Sequence, residues 1–161
     1  MTRRLQHDLT YDAPADAVTA MLADKAFREE VCDFIGVTRK TVVVEPVGEG
    51  MHVTIDQWQP TGRVPSFAKK FVGEEVNIVQ REIWTNPLLG DIAVTIPGKP
   101  TSAKGTITLE PDGAGTREVV ELEIKVKVPL IGGKLEKLMA EKVKSGMDVE
   151  RQVGQTWLKE H

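Results

Sequence analysis

The sequence predicts an α+β domain in which a curved antiparallel sheet of about seven strands wraps around one long C-terminal helix. Three observations predict it. After Pro129, residues Leu135, Leu138, Met139, Val143, Val149, Val153 and Trp157 recur at three- and four-residue spacings, which at about 100° per residue share one helical face. The middle of the chain alternates short strand-patterned runs with turn residues, as consecutive hairpins do. Between the first strand and this meander lie two short stretches of helical period.

In chain order, Arg3 to Tyr11 alternates, with Leu5, His7, Leu9 and Tyr11 on one side and Arg4, Gln6, Asp8 and Thr10 on the other. Asp12 is a candidate N-cap with Pro14 in the first helical turn, and Val18, Met21 and Leu22 supply an apolar face. A second helix follows Asp24, with Phe27, Val31, Cys32 and Phe34 expected inward and Gly36 ending it. Strands are expected at Thr41 to Val47 and Met51 to Trp58, joined by a turn at Gly48 to Gly50. The stretch from Pro60 to Gly73 has no clear period and reads as a long loop with one helical turn at Ser66 to Phe71.

A further strand spans Glu75 to Thr85. Val76 and Ile78 share one parity and Val79 and Ile83 the other, so a bulge near Gln80 is expected. Asn86-Pro87 turns into Asp91 to Ile96, Pro97 to Pro100 turns again, and Ala103 to Leu109 leads to the turn at Pro111 to Gly115. The last strand has Val120, Leu122, Ile124, Val126 and Val128 inward and Glu121, Glu123, Lys125 and Lys127 outward. The closing helix, free of proline, should run roughly 40 Å.

At 161 residues without a Gly/Ser- or Pro-rich linker, the expectation is one domain over 1–161. A net charge of -3 gives no global reason to bind nucleic acid, and Lys134, Lys137, Lys142 and Lys144 read as a solvated helix face. The single cysteine cannot form an internal disulfide. No signal-peptide core or bilayer-spanning run appears, so a cytoplasmic location is the default expectation.

Three histidines, no cysteine pair and no HExxH spacing leave no metal signal, and no nucleophile elbow, P-loop or dinucleotide fingerprint occurs, so no cofactor is expected. Cys32, between Val31 and Asp33, reads as a packed thiol. Strand or helix parity turns His7, Gln57, Glu82 and Glu150 inward. Each is either a satisfied core residue or, if two converge, an anchor for the polar end of an amphipathic ligand or a proton-transfer group.

Gly146 stands near the centre of the apolar stripe, where alanine would gain about 1 kcal/mol, so something approaches its backbone or space is left beside it. A cavity is expected between the strand carrying Gly105 and the face of Leu122, Ile124 and Val126 on one side, and Met139, Val143, Gly146 and Glu150 on the other. Phe67 and Phe71, four apart and flanked by Lys69 and Lys70, mark an entrance loop and a candidate for weak, transient membrane contact. The alternative is that both rings cap the open end of the core.

The order of elements resembles the helix-grip fold of the START-like (SRPBCC) superfamily over nearly the whole chain. The stretches KFVGEEVNIVQREIW, VTIPGKPTSAKGTITL, KVKVPLIGGKLEKLM and QTWLKEH resemble the bacterial domain of unknown function 2505 family. The superfamily resemblance implies a hydrophobic cavity used for lipids, sterols or polyketides, without implying one chemistry. The narrower family supplies no catalytic residue to carry over. Three functions stay open: a carrier for a hydrophobic, lipid-like molecule, which an aromatic content of 5% suits better than a stacked planar ligand; a cyclase- or hydratase-like enzyme using the inward polar residues; and an interaction domain whose cavity is filled by side chains.

Overall fold

Left-handed glycines at Gly48 (φ +57) and Gly113 (φ +60) let the chain reverse tightly, folding a strand at Arg39–Val47 (β2) onto one at Gly50–Pro60 (β3), and Thr101–Asp112 (β6) onto Gly115–Val126 (β7). The computed structural model describes residues 2–161, so Met1 lies outside the described residues. The remaining elements are β1 (Arg3–Tyr11), α1 (Ala15–Leu22), α2 (Lys25–Ile35), α3 (Ser66–Val72), β4 (Glu75–Asn86), β5 (Leu89–Thr95) and α4 (Gly132–Glu160). All seven strands join one antiparallel sheet in the order β1-β7-β6-β5-β4-β3-β2. The meander from β2 to β7 is closed by β1, which docks on the free edge of β7 with Leu9 opposite Glu118.

This is the helix-grip arrangement. α4 lies across β1 and β7 and against α2, burying Leu135 and Val153. The core includes Leu9, Val53, Leu122 and Ile124 from the sheet and Val18, Met21, Leu22 and Phe27 from the short helices. Each such side chain contributes roughly 1.5–3 kcal/mol of transfer free energy. Phe27 meets Trp157 edge-on, ring centroids 5.6 Å apart, which ties α2 to the end of α4. At the other end of α4, the buried Glu136 carboxylate accepts the Val126 N–H at 2.9 Å and fixes the helix start against the end of β7. Among the described residues no helix is long and apolar enough to cross a membrane.

Several local expectations are corrected. There is no bulge at Gln80: β4 keeps regular register there with Ile55 on β3 and Val94 on β5, and the irregularity lies between Trp84 and Asn86. The apparent parity switch arises because the inward positions of β4 carry Gln80 and Glu82, while Ile83 points out at 49% exposure. Phe34 is exposed rather than inward, since the buried face of α2 runs through Phe27, Arg28, Val31 and Cys32. Pro14, not Asp12, is the N-cap of α1; Asp12 instead receives a hydrogen bond from Gln155 at its carboxylate and gives its own N–H to the Gln155 side chain. The loop from Pro60 onward contains a real helix, α3, reaching Val72, and β7 stops at Val126, short of Val128.

Candidate functional site

Strand parity and helix spacing bring an ionisable cluster into the interior. Arg28 on α2, 2% exposed, forks onto Glu82 of β4, Nη1 to Oε2 at 2.8 Å and Nη2 to Oε1 at 2.9 Å, and its Nε donates to the Leu22 carbonyl at 2.8 Å. Trp84 Nε1 and Gln80 Nε2 donate to the same carboxylate at 2.8 and 2.6 Å. Glu82 is thus saturated with donors, as a buried carboxylate must be. From α4, Glu150 approaches Arg28 Nη1 at 3.8 Å with 15% of its side chain exposed. Glu118 of β7 and Tyr11 of β1 complete the group, both buried, and neither Tyr11 Oη nor Glu118 Oε1 has a hydrogen-bond partner among the described residues.

One guanidinium cannot serve three carboxyls, and the electrostatics divide them. Burial alone would raise Glu82, but the Arg28 fork, with Trp84 and Gln80, holds its carboxyl below the ordinary value. Burial pushes Glu118 well above the ordinary carboxylate range, and Glu150 and Glu82 add to the rise against Arg28. Burial therefore favours the protonated form of Glu118. Burial also raises Glu150, to about 7, with Arg28 opposing and Glu82 assisting. Burial, then Glu150 and Glu118, raise Tyr11, which keeps its phenolic proton. The cluster holds one fixed ion pair, Arg28 with Glu82, and two carboxyls, Glu118 and Glu150, that burial pushes toward their protonated forms.

Of the polar residues that parity turned inward, Glu82 and Glu150 meet, through Arg28. His7 does not join them: its Nε2 lies 2.7 Å from Asp148 Oδ1 on α4. Gln57 is buried on β3, where its Oε1 accepts a hydrogen bond from Gln59 at 3.0 Å. Leu122, Ile124 and Val126 are buried on the inward face of β7, and Met139 and Val143 pack as partly buried residues on the α4 side.

The two glycines read as space-makers behave differently. A Cβ on Gly105 would overlap the Glu121 backbone carbonyl, so glycine there serves a close approach of strands. A Cβ on Gly146 would meet only Ile35 Cδ1, at an ordinary 3.8 Å. A tight approach to α4 is at Gly154, where a Cβ would lie 2.6 Å from Tyr11 Cε1 and 3.2 Å from Met21 Cε.

At the opposite end, α3 closes the interior. Phe67 and Phe71 are partly buried against the cluster of Ala68, Val126 and Leu135. Lys99 lies over the Phe71 ring at 5.4 Å, Lys69 pairs with Glu74 at 3.3 Å, and Lys70 is exposed. A pocket of about 170 Å³ lies between α1 and the β2–β3 and β4–β5 turns, lined by Thr19, Leu22, Val44, Met51 and Trp84 among others, and not by the face of Leu122, Ile124, Val126 and Gly146 where the sequence predicts a cavity.

The sequence profile described as "Protein of unknown function (DUF2505)" matches residues 6–158. The chain belongs to the DUF2505 family. The Mycobacterium tuberculosis protein "Uncharacterized protein Rv0481c" is 25% identical over 101 residues, covering 59% of this chain. The chain spans 58% of the length of the curated relatives it matches. Among solved structures, TTHA0849 from Thermus thermophilus superposes with a TM-score of 0.65 at 20% identity, over 94% of this chain and 96% of that one. Norcoclaurine synthase from Thalictrum flavum gives 0.63 at 16% identity, over 100% and 88%. The di-domain ARO/CYC StfQ from the steffimycin biosynthetic pathway gives 0.68 at 12% identity, over 99% and 51%. These likenesses show the helix-grip fold of the DUF2505 chain.

Arg28, Glu118 and Tyr11 are the members of the cluster that sequence reasoning did not single out as functional. Arg28 was legible in the spacing 28-32-35, which continues the inward face of α2 through a charged residue. Glu118 was legible by extending the even-numbered inward parity of β7 two residues back from Val120.

Proposed function

We propose that this DUF2505 protein binds a hydrophobic, lipid-like small molecule between the sheet and α4, with the polar end of the ligand at Tyr11, Glu118 and Glu150. The observation that carries the reading is that two of the three buried, unpartnered side-chain polar atoms among the described residues, Tyr11 Oη and Glu118 Oε1, lie beyond the aliphatic row of Val120, Leu122, Ile124 and Val126. Leaving such groups unpaired costs about 1–3 kcal/mol each, which a ligand oxygen recovers by bonding to them. Glu118, whose burial favours the protonated form, and the Tyr11 phenol offer both donors and acceptors, whereas Arg28 is already committed to Glu82. A neutral head group, an alcohol, ketone or ester, suits this end better than a permanent anion. α3, with Phe67 and Phe71, is the flap over the opposite end and the route of access. The fold is shared with norcoclaurine synthase, solved in complex with dopamine and hydroxybenzaldehyde, which supports a small organic molecule as the class of ligand.

Native mass spectrometry of the protein purified from its own host tests this directly. A co-purifying mass, released on denaturation and absent from the Glu118→Leu variant, is expected. A bare polypeptide that also fails to take up a fluorescent fatty acid would overturn the reading in favour of a filled, interaction-only domain.

A second reading, a cyclase- or hydratase-like activity, draws on one observation: Glu150 is poised at about 7 beside a Glu82 held ionised. Carboxyls whose environments separate their proton affinities are suited to general acid–base work on a bound carbonyl. Chemical alteration of a bound carbonyl compound by wild type, lost in Glu150→Gln with binding intact, distinguishes this from simple carriage.

A further inference from the structure

Where β7 leaves the sheet, the chain makes a turn that packing does not explain. The Ile131 N–H donates to the Pro129 carbonyl at 2.8 Å, and Leu130 between them sits at φ +70. This is a γ-turn in the left-handed region, strained for any residue with a Cβ. Glycine or asparagine would take it at less cost, yet the position holds a leucine whose side chain is wholly exposed.

The two segments that meet near Leu130 carry charge of one sign. The Lys127 N–H bonds the Pro100 carbonyl at 2.9 Å, which sets the β5–β6 turn beside the tip. Pro97, Lys99, Pro100, Lys127, Pro129 and Lys134 are all exposed there. Segments 96–104 and 124–135 hold five lysines and no acidic residue, in a chain whose net charge is -3. The next acid, Glu136, is buried and bonded to Val126. Among the described residues Lys99, Lys127 and Lys134 form no ion pair.

We infer that this tip docks on an anionic lipid bilayer, Leu130 and its neighbouring prolines entering the interface while Lys99, Lys127 and Lys134 read the surface charge. An apolar point flanked by cations that form no ion pair is what such a surface selects. Phe67 and Phe71, the anchors that sequence spacing suggests, are partly buried against Ala68, Val126 and Leu135, whereas Leu130 is wholly exposed. This inference goes beyond the ligand-binding reading and does not rest on it.

The test is co-sedimentation with vesicles of phosphatidylcholine alone and of phosphatidylcholine mixed equally with phosphatidylglycerol. Wild type should bind only the anionic vesicles, and salt should weaken the binding. Each Lys→Glu reversal at Lys99, Lys127 or Lys134 should reduce partitioning by about fivefold or more. Leu130→Gly should reduce it by about tenfold while leaving the thermal midpoint unchanged or higher, because glycine relieves the left-handed backbone. Lys142→Glu with Lys144→Glu, further along α4, should bind like wild type.

Absence of wild-type binding, or a Leu130→Gly variant that binds equally well, would overturn the inference. So would an equal loss in the Lys142/Lys144 variant. Retention on heparin without vesicle binding would show a general polyanion surface instead, and would overturn it as well.

Discussion

Replacing Arg28 with methionine keeps most of its stem volume and removes its charge, which strands Glu82. Arg28 and Glu82 are each 2% exposed and joined by two charge-assisted hydrogen bonds, with a third from Arg28 to the Leu22 carbonyl. Two such bonds at about 1.5–3 kcal/mol each, checked against the roughly 3–5 kcal/mol lost when one partner of a buried pair is removed, set the expected loss at about 3–5 kcal/mol. For a chain of this size that lowers the thermal midpoint by roughly 6–20 °C. The deficit should depend on pH. Without Arg28, burial drives the Glu82 carboxyl above its unfolded value, so the folded variant binds that proton more tightly than the unfolded chain does. Its stability is then fully present below the unfolded value and falls as pH rises through the folded one. Urea denaturation followed by circular dichroism, at pH 4.5 and pH 8, measures both effects. The double variant Arg28→Met with Glu82→Leu should recover most of the loss, since replacing a whole buried pair by apolar groups is near neutral. A single-variant loss below about 1 kcal/mol, or a double variant no better than the single, would refute the assignment of Arg28 as the counter-charge of the interior.

Glu150, raised from 4.5 to about 7, contributes stability that is complete below about pH 4.5 and is lost as pH rises through 7. Glu150→Gln should therefore match wild type in acid and exceed it above pH 8, by up to on the order of 3 kcal/mol, read from denaturation midpoints across pH. Gly146→Ala should stabilise by about 0.5–1 kcal/mol, because its Cβ meets only Ile35 at 3.8 Å. Gly154→Ala should destabilise by about 1–3 kcal/mol, because its Cβ runs into Tyr11 and Met21; thermal melts of the two variants decide both. Tyr11→Phe should leave stability unchanged or raise it by about 1 kcal/mol, since the hydroxyl has no partner, while lowering the fraction of protein that retains a co-purified ligand in native mass spectra.

The fold was legible because its signals are periodic. The alternation of Val120 to Val126 and the stripe of α4 each repeat often enough to outweigh a local exception, and turn residues such as Gly48 and Gly113 fixed the hairpins between them. Errors came where a polar residue occupies an inward position. Gln80 and Glu82 broke the apolar alternation of β4 and suggested a bulge, yet the register runs straight through them. On α2, an inward face containing Arg28 left Phe34 as the apparent apolar choice, although Phe34 is 69% exposed. In both cases the misleading residue is a member of the ionisable cluster or its hydrogen-bonded shell, and its partner is remote in sequence. A pattern that prices each residue alone cannot anticipate that Arg28 and Glu82 neutralise each other.

That pairing explains Glu82 but not the whole cluster. An Arg–Glu fork with Trp84, Gln80 and Leu22 completing its hydrogen bonds is self-consistent, and folding alone could retain it. Glu118 is different: it is a second buried carboxyl on the inward face of β7, at a position where leucine would pack, with an oxygen that no described residue bonds. Tyr11 sets a phenolic hydroxyl in the same cluster, also unpartnered, while its ring occupies the close approach at Gly154. Folding selects against each of these choices, by about 1–3 kcal/mol per unpaired group. Sequences depart from folding rules mainly where function requires it. The departures fall at one end of the aliphatic row of β7, where the ligand-binding proposal puts the only polar atoms of its ligand. Glu118→Leu discriminates between the two origins: it should raise stability if the carboxyl serves no folding role, and abolish ligand retention if the carboxyl serves binding. A variant that is both destabilised and still able to retain its ligand would place Glu118 among the structural residues instead.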